Sequence, residues 1–147
     1  MPLVLHPTDR PATVLLVDDE ASVRTLFGSV LKVIGCRVLE APNGERALRL
    51  LADDPGAVDV IFLDWRMPVM DGAAFCDQYR ALACEAAKPI VAICSHVEDV
   101  GAYRESLRMV MPKPISIHDI VDIVQDVMSG GAPRAEFVGL PEPPGND

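Results

Sequence analysis

No apolar run in the chain approaches the roughly 18 residues a membrane-spanning helix needs. The start, Met1-Pro2-Leu3-Val4-Leu5-His6-Pro7, is too short an apolar stretch for a signal peptide. A cytoplasmic protein with no membrane partner is therefore expected. Basic residues are scarce: 13 Lys and Arg stand against 22 Asp and Glu, a formal charge of −9. Non-specific nucleic-acid binding depends on cations that neutralise phosphates, so nucleic acid is not an expected partner. Cysteines number only four, Cys36, Cys76, Cys84 and Cys94. None forms a C-x-x-C pair, and the histidines are not grouped with them. Reduced thiols packed as small hydrophobes are expected, not a zinc site.

Half the residues are hydrophobic and about a quarter are charged, a globular balance in a chain of 147 residues. Residues 1–11 hold three prolines and read as a loose leader. Ala12 to Val17 is a short, β-branched apolar run, a buried strand ending in Asp18-Asp19-Glu20. Val23, Leu26, Phe27, Val30, Leu31 and Ile34 recur at spacings of three and four, one stripe of a helix closed by Gly35. Arg37 to Ala41 is a weaker strand. Asn43 is a candidate cap for a helix with Ala47, Leu48 and Leu51 inward. Val58 to Leu63 is the strongest strand and runs straight into Asp64.

A loop from Trp65 to Met70 leads to a helix with Phe75, Tyr79 and Leu82 on one face. Pro89 to Cys94 is a fourth strand that ends at Ser95. Residues 97–106 are polar and ambiguous, with a short helix as one reading. Leu107 to Met111 is a fifth strand. Ser116-Ile117-His118-Asp119 resembles a capping box. It opens a last helix with Ile117, Ile120, Val121, Val124, Val127 and Met128 inward. Gly130-Gly131 then breaks the pattern. Residues 130–147, rich in proline and acid, read as a disordered tail, with Phe137, Val138 and Leu140 as an alternative docking peptide.

Five βα units in strict alternation predict an α/β fold: a doubly wound, five-stranded parallel sheet over residues 12–129, with helices on both faces. In such sheets ligands sit outside the carboxyl ends of the strands. Those ends carry Asp18 and Asp19, Asp64, and Ser95, with Lys113 following the fifth strand. Adjacent first and third strands would bring three carboxylates together. Like charges at that range disfavour mutual ionisation unless a cation offsets them. Oxygen-only ligands with open positions suit Mg²⁺, which takes one or two carboxylates plus phosphate. Asp18-Asp19 alone would also read as a solvated turn or helix cap; Asp64 and Lys113 at matching ends argue against that. Asp64 could act as a nucleophile toward phosphorus. Lys113 would pair with a phosphoryl oxygen, and Ser95 would donate a hydrogen bond to another.

Leu15-Leu16-Val17-Asp18-Asp19-Glu20, Ile61 to Gly72 with its D-x-x-M-P-x-M-D-G pattern, Ser95 and Lys113-Pro114 together resemble the receiver domain of bacterial two-component response regulators (CheY-like). The resemblance covers about residues 13–128. It implies a flavodoxin-like strand order 2-1-3-4-5 and Asp64 as the phosphoacceptor. It further implies Mg²⁺ held by Asp19, Asp64 and the main-chain carbonyl of Arg66, with Asp18 assisting through water. Ser95 and Lys113 would touch the phosphoryl group, and the Lys113–Pro114 bond would be cis. The donor would be a histidine kinase or phosphotransfer protein. Autophosphorylation and autodephosphorylation would be the only chemistry, so the protein would not be an enzyme in the ordinary sense.

Three departures stand out. The fifth-strand switch aromatic of the family is replaced by Val110. The stretch from Ser95 to Lys113 is short, so the fourth helix should be short or irregular. His96 stands where a small residue is usual. Arg66 is expected to screen an acyl phosphate from water, or else simply to face solvent. After the last helix, near Met128, only 19 residues remain. The sequence thus reads as a stand-alone module signalling to an unknown downstream protein, although a piece of a longer regulator would look the same. The alternatives are a docking pseudo-receiver that is never phosphorylated and a small aspartyl-nucleophile phosphohydrolase. The latter normally has an acid two residues after its nucleophile, where this chain has Arg66.

Overall fold

The computed structural model describes residues 10–83 and 86–129; the leader before residue 10, Cys84 and the tail from 130 lie outside the described residues. Five strands, β1 (Thr13–Val17), β2 (Arg37–Ala41), β3 (Val60–Asp64), β4 (Ile90–Cys94) and β5 (Met109–Pro112), form one sheet. Its order is β2-β1-β3-β4-β5, with every pairing parallel. The helices are α1 (Ala21–Val33), α2 (Gly44–Asp53), α3 (Gly72–Ala83) and α4 (Ile117–Met128). A 3-10 segment, Val97–Ser106, joins β4 to β5.

The continuous apolar strands have a direct cause. Leu15, Val17, Ile61, Leu63, Ala92 and Val110 face one core with Ala47, Leu51, Phe75, Tyr79 and Val100. Val14, Leu16, Phe62, Val91 and Met111 face another with Phe27, Leu31, Ile120 and Val124. Successive side chains of a strand point to opposite faces, so covering both faces demands an apolar residue at every position. Of the two edge strands, β2 and β5, β2 is the half-exposed one, which is why its apolar pattern is weaker.

Local signals set the helix starts. The Asn43 side chain accepts from Arg46 N at 2.9 Å. Ser116 and Asp119 make the reciprocal capping box of α4, with Asp119 N donating to Ser116 Oγ at 3.0 Å. Asp71 Oδ1 accepts from Ala74 N at 2.9 Å and opens α3.

Four expectations need correction. Leu26, on the expected α1 stripe, is 51% exposed; Phe27 and Leu31 carry the contact. Leu82 and Ile117 are also exposed, because the packed arcs of α3 and α4 are centred on Phe75–Tyr79 and on Ile120–Val124. The fifth strand starts at Met109, since Leu107 N still bonds Arg104 O and closes the 3-10 segment. The third strand runs through to Asp64, because Trp65 N donates to Ile93 O and keeps β3 paired to its last residue. The short fourth helix takes 3-10 form, broken at Gly101 with φ 48° and ψ −126°.

Candidate functional site

All five strands are parallel, so their carboxyl ends share one edge. Asp18 follows β1, and its backbone N–H donates to Ala41 O across the β2 end at 3.1 Å. Its carboxylate accepts from Glu20 N at 2.8 Å, which turns the chain into α1. Asp64 closes β3 and is 2% exposed. Asp19 is exposed beside them. One oxygen from each of Asp18, Asp19 and Asp64 lies within 4.8 Å of the others. Strand pairing β1·β3 thus assembles residues 45 and 46 positions apart in sequence.

Lys113 follows β5, and its N–H donates to Cys94 O at 2.8 Å. Its Nζ lies 2.9 Å from Asp64 Oδ1. That is ion-pair distance without hydrogen-bond alignment, so Oδ1 is buried with no hydrogen-bond partner. A buried carboxylate oxygen held by one ammonium alone keeps acceptor capacity for a further ligand. Burial pushes the Asp64 carboxyl up to about 6; the Lys113 ammonium opposes that shift, and Asp18 and Asp19 add to it. Asp18 is also raised, chiefly by burial. Burial would lower the Lys113 ammonium, but the Asp64 contact and the surrounding acids outweigh it and raise it. The Lys113–Pro114 bond is cis.

The donor set fits a hard divalent cation: carboxylate oxygens only, one of them without a hydrogen-bond donor and one residue exposed to admit water. Ser95, directly after β4, is exposed at the same edge. Arg66, two residues past Asp64, directs its guanidinium to Asp99 of the 3-10 segment, with Nη2 at 3.0 Å and Nε at 3.1 Å from Oδ2. Trp65 is buried, packs edge-on to Tyr103 at 5.7 Å and 63°, and leaves room only for glycine at position 72. A Cβ on Gly72 would come within 2.7 Å of the indole Cδ2. That close approach explains the Asp71-Gly72 pair at the start of α3.

The sequence reading missed two partners. Arg24 Nη1 donates to the Asp18 carbonyl at 2.6 Å, and its Nε lies 3.3 Å from Glu40 Oε1, so it braces the acidic turn from α1. Asp99 holds Arg66. The Arg24–Glu40 and Arg66–Asp99 pairs have no sequence signal, because folding alone brings their partners close. Val110 sits 2% exposed in the core shared with α2, α3 and the 3-10 segment. Two clefts flank the acids. One, of about 420 Å³, is lined by Val23, Phe27, Ile93, Lys113, Pro114 and Ile115 with Asp18 and Glu20. The other, of about 640 Å³, is lined by Trp65, Arg66, Met67, Pro68, Asp71, Ala73 and Asp99. Among the described residues no helix is long and apolar enough to cross a membrane.

A parallel 2-1-3-4-5 sheet with an acidic cup at its carboxyl edge defines a CheY-like class of fold and site. The response regulator receiver domain model matches residues 14–125, and the chain belongs to that family. Receiver domains of this family are signalling modules of two-component systems. The chain is 34% identical over 112 residues to response regulator receiver protein Anae109_2439 of Anaeromyxobacter sp. (strain Fw109-5), covering 74% of this chain and 45% of that protein. It spans about half the length, or less, of the curated relatives it matches. Chemotaxis response regulator CheY4 of Vibrio cholerae superposes with a TM-score of 0.70 at 28% identity, covering 80% of this chain and 98% of that one. The receiver domain of sensor histidine kinase PA1611 from Pseudomonas aeruginosa PAO1 superposes with a TM-score of 0.68 at 25% identity, over 81% and 98% of the two chains. That structure has a magnesium ion coordinated in its active-site cleft.

Proposed function

We propose that Asp64 of this chain accepts a phosphoryl group from the phosphohistidine of a histidine kinase or phosphotransfer protein. The P–N bond of the donor breaks as an Asp64 carboxylate oxygen bonds to phosphorus. Supporting this reading is Asp64 Oδ1, buried and without a hydrogen-bond partner, 2.9 Å from Lys113 Nζ and within the three-carboxylate cup.

Asp19, Asp64 and the Arg66 carbonyl would hold Mg²⁺, with Asp18 reaching it through water. Bound there, Mg²⁺ offsets the charge of both the carboxylate and the incoming phosphoryl group. Lys113 meets a phosphoryl oxygen as a point charge on a flexible stem. Ser95, exposed at the end of β4, donates a hydrogen bond to another. The phosphorylated form signals through protein–protein contacts. The cytosol is the proposed location, where the buried free thiols Cys36, Cys76 and Cys94 stay reduced.

The test is intact-mass measurement after incubation with Mg²⁺ and acetyl phosphate, with and without Asp64→Asn. The wild type should gain one phosphoryl group in a Mg²⁺-dependent way and the variant none. Trp65 emission, one residue from the acceptor, should change with each addition. No mass gain, with silent emission, would make the chain a docking module. Continuous turnover of an unrelated phosphate ester would make it a phosphohydrolase.

A further inference from the structure

We propose that the element released by phosphorylation of this chain is the 3-10 segment Val97–Ser106, which is latched to the two residues that follow Asp64. Output then leaves through that segment and α3, not through a fifth-strand side chain. The inference rests on the reading of Asp64 as phosphoacceptor.

Trp65 and Arg66 each hold one half of the segment. Arg66 Nη2 and Nε both reach Asp99 Oδ2, at 3.0 and 3.1 Å. Trp65 packs against Tyr103, whose hydroxyl donates to Asp77 Oδ2 on α3 at 2.8 Å. The two contacts fall on either side of Gly101, where φ 48° and ψ −126° break the segment into two turns. Of its residues only Val100 is buried. Two short 3-10 turns joined at Gly101 have poor hydrogen-bond alignment, so side-chain tethers help decide where the segment sits. The cleft of about 640 Å³ beside Trp65, Arg66 and Asp99 gives those side chains room to move.

The perturbation is electrostatic. A phosphoryl group adds negative charge and acceptor oxygens two residues from Arg66. It competes with Asp99 for the same guanidinium, and the Arg66 side chain is 76% exposed, so its present pair is screened and easily exchanged. Loss of Arg66 removes its hydrogen bond and its ion-pair contact to Asp99 and frees the first turn of the segment. Val110 offers no comparable handle: it is aliphatic, 2% exposed and packed in the core.

The experiment is hydrogen exchange on the full chain with Mg²⁺, before and after acetyl phosphate, with phosphoryl gain followed by intact mass in the same samples. Exchange in 97–106 should rise by roughly twofold to fivefold on phosphorylation, the population change expected for loss of one exposed ion pair. Asp99→Asn should raise it without phosphate, still accept the phosphoryl group, and show little further response. Phosphoryl gain with unchanged exchange in 97–106, or with change confined to 109–128, overturns the proposal while leaving the phosphoacceptor reading intact. Raised exchange in Asp99→Asn with no response of the wild type would show a merely structural latch and also overturns it. No phosphoryl gain at all defeats the phosphoacceptor reading and this inference with it.

Discussion

Asp64→Asn should make the metal-free protein more stable, and the size of the gain follows from the site. The Asp64 carboxyl is 2% exposed and pushed up to about 6, against an ordinary value of 3.8. At 1.36 kcal/mol per pKa unit, holding it ionised at neutral pH costs about 3 kcal/mol. Burial is the main cause of that cost, and repulsion from Asp18 and Asp19 adds to it. Replacing the charge with a neutral amide removes that repulsion but also forfeits the Lys113 attraction and leaves a buried amide to satisfy. A net gain of about 1–2 kcal/mol is expected.

The pH dependence has a definite sign. A carboxyl raised in the folded state binds its proton more tightly there than in the unfolded chain. Its stabilising contribution is fully present below about pH 4 and is lost as pH rises through about 6. Asp18, also raised, acts in the same direction. Wild type in EDTA should therefore lose stability between about pH 4 and 6, and Asp64→Asn should flatten that slope. Mg²⁺ should restore the wild type at pH 7, by about 2.7 kcal/mol at one hundred times its dissociation constant. The variant should respond little. Urea unfolding followed by Trp65 emission, with and without Mg²⁺, measures all of this. A metal-free variant no more stable than wild type, with the pH slope intact, would refute the reasoning.

Gly72→Ala should destabilise by about 1–3 kcal/mol, because the added Cβ overlaps the buried Trp65 ring, and a lower urea midpoint together with altered Trp65 emission would report it. Val69, 73% exposed, sits at φ 72°, a left-handed conformation unfavourable for a β-branched residue; Val69→Asn should raise the urea midpoint by about 0.5–1 kcal/mol in free-energy terms. Ser116→Ala removes the cap of α4 and should cost about 1 kcal/mol in the same assay. Lys113→Ala should slow phosphoryl gain from acetyl phosphate by at least about tenfold, the size expected when one charge-stabilising donor is lost, with Asp64→Asn as the zero-rate reference.

The sequence alone determined the order of the elements, the type of all but the segment at 97–106, and the chemistry placed at the strand ends. Apolar runs, stripes of period 3.6 and caps such as Asn43 and Ser116 are local properties, set by residues a turn or less apart. The acids at 18, 19 and 64 and the lysine at 113 were legible for the same reason: each lies at or just past the end of a strand, and parallel strands must end together. Only the tertiary structure decided which arc of each helix is covered, and so left Leu26, Leu82 and Ile117 to solvent. It also decided where the long polar side chains go. Arg24 onto Glu40, Arg66 onto Asp99 and Tyr103 between Trp65 and Asp77 are pairings between distant segments. A flexible side chain chooses its partner by the distance that folding leaves between them, and no local pattern encodes that distance.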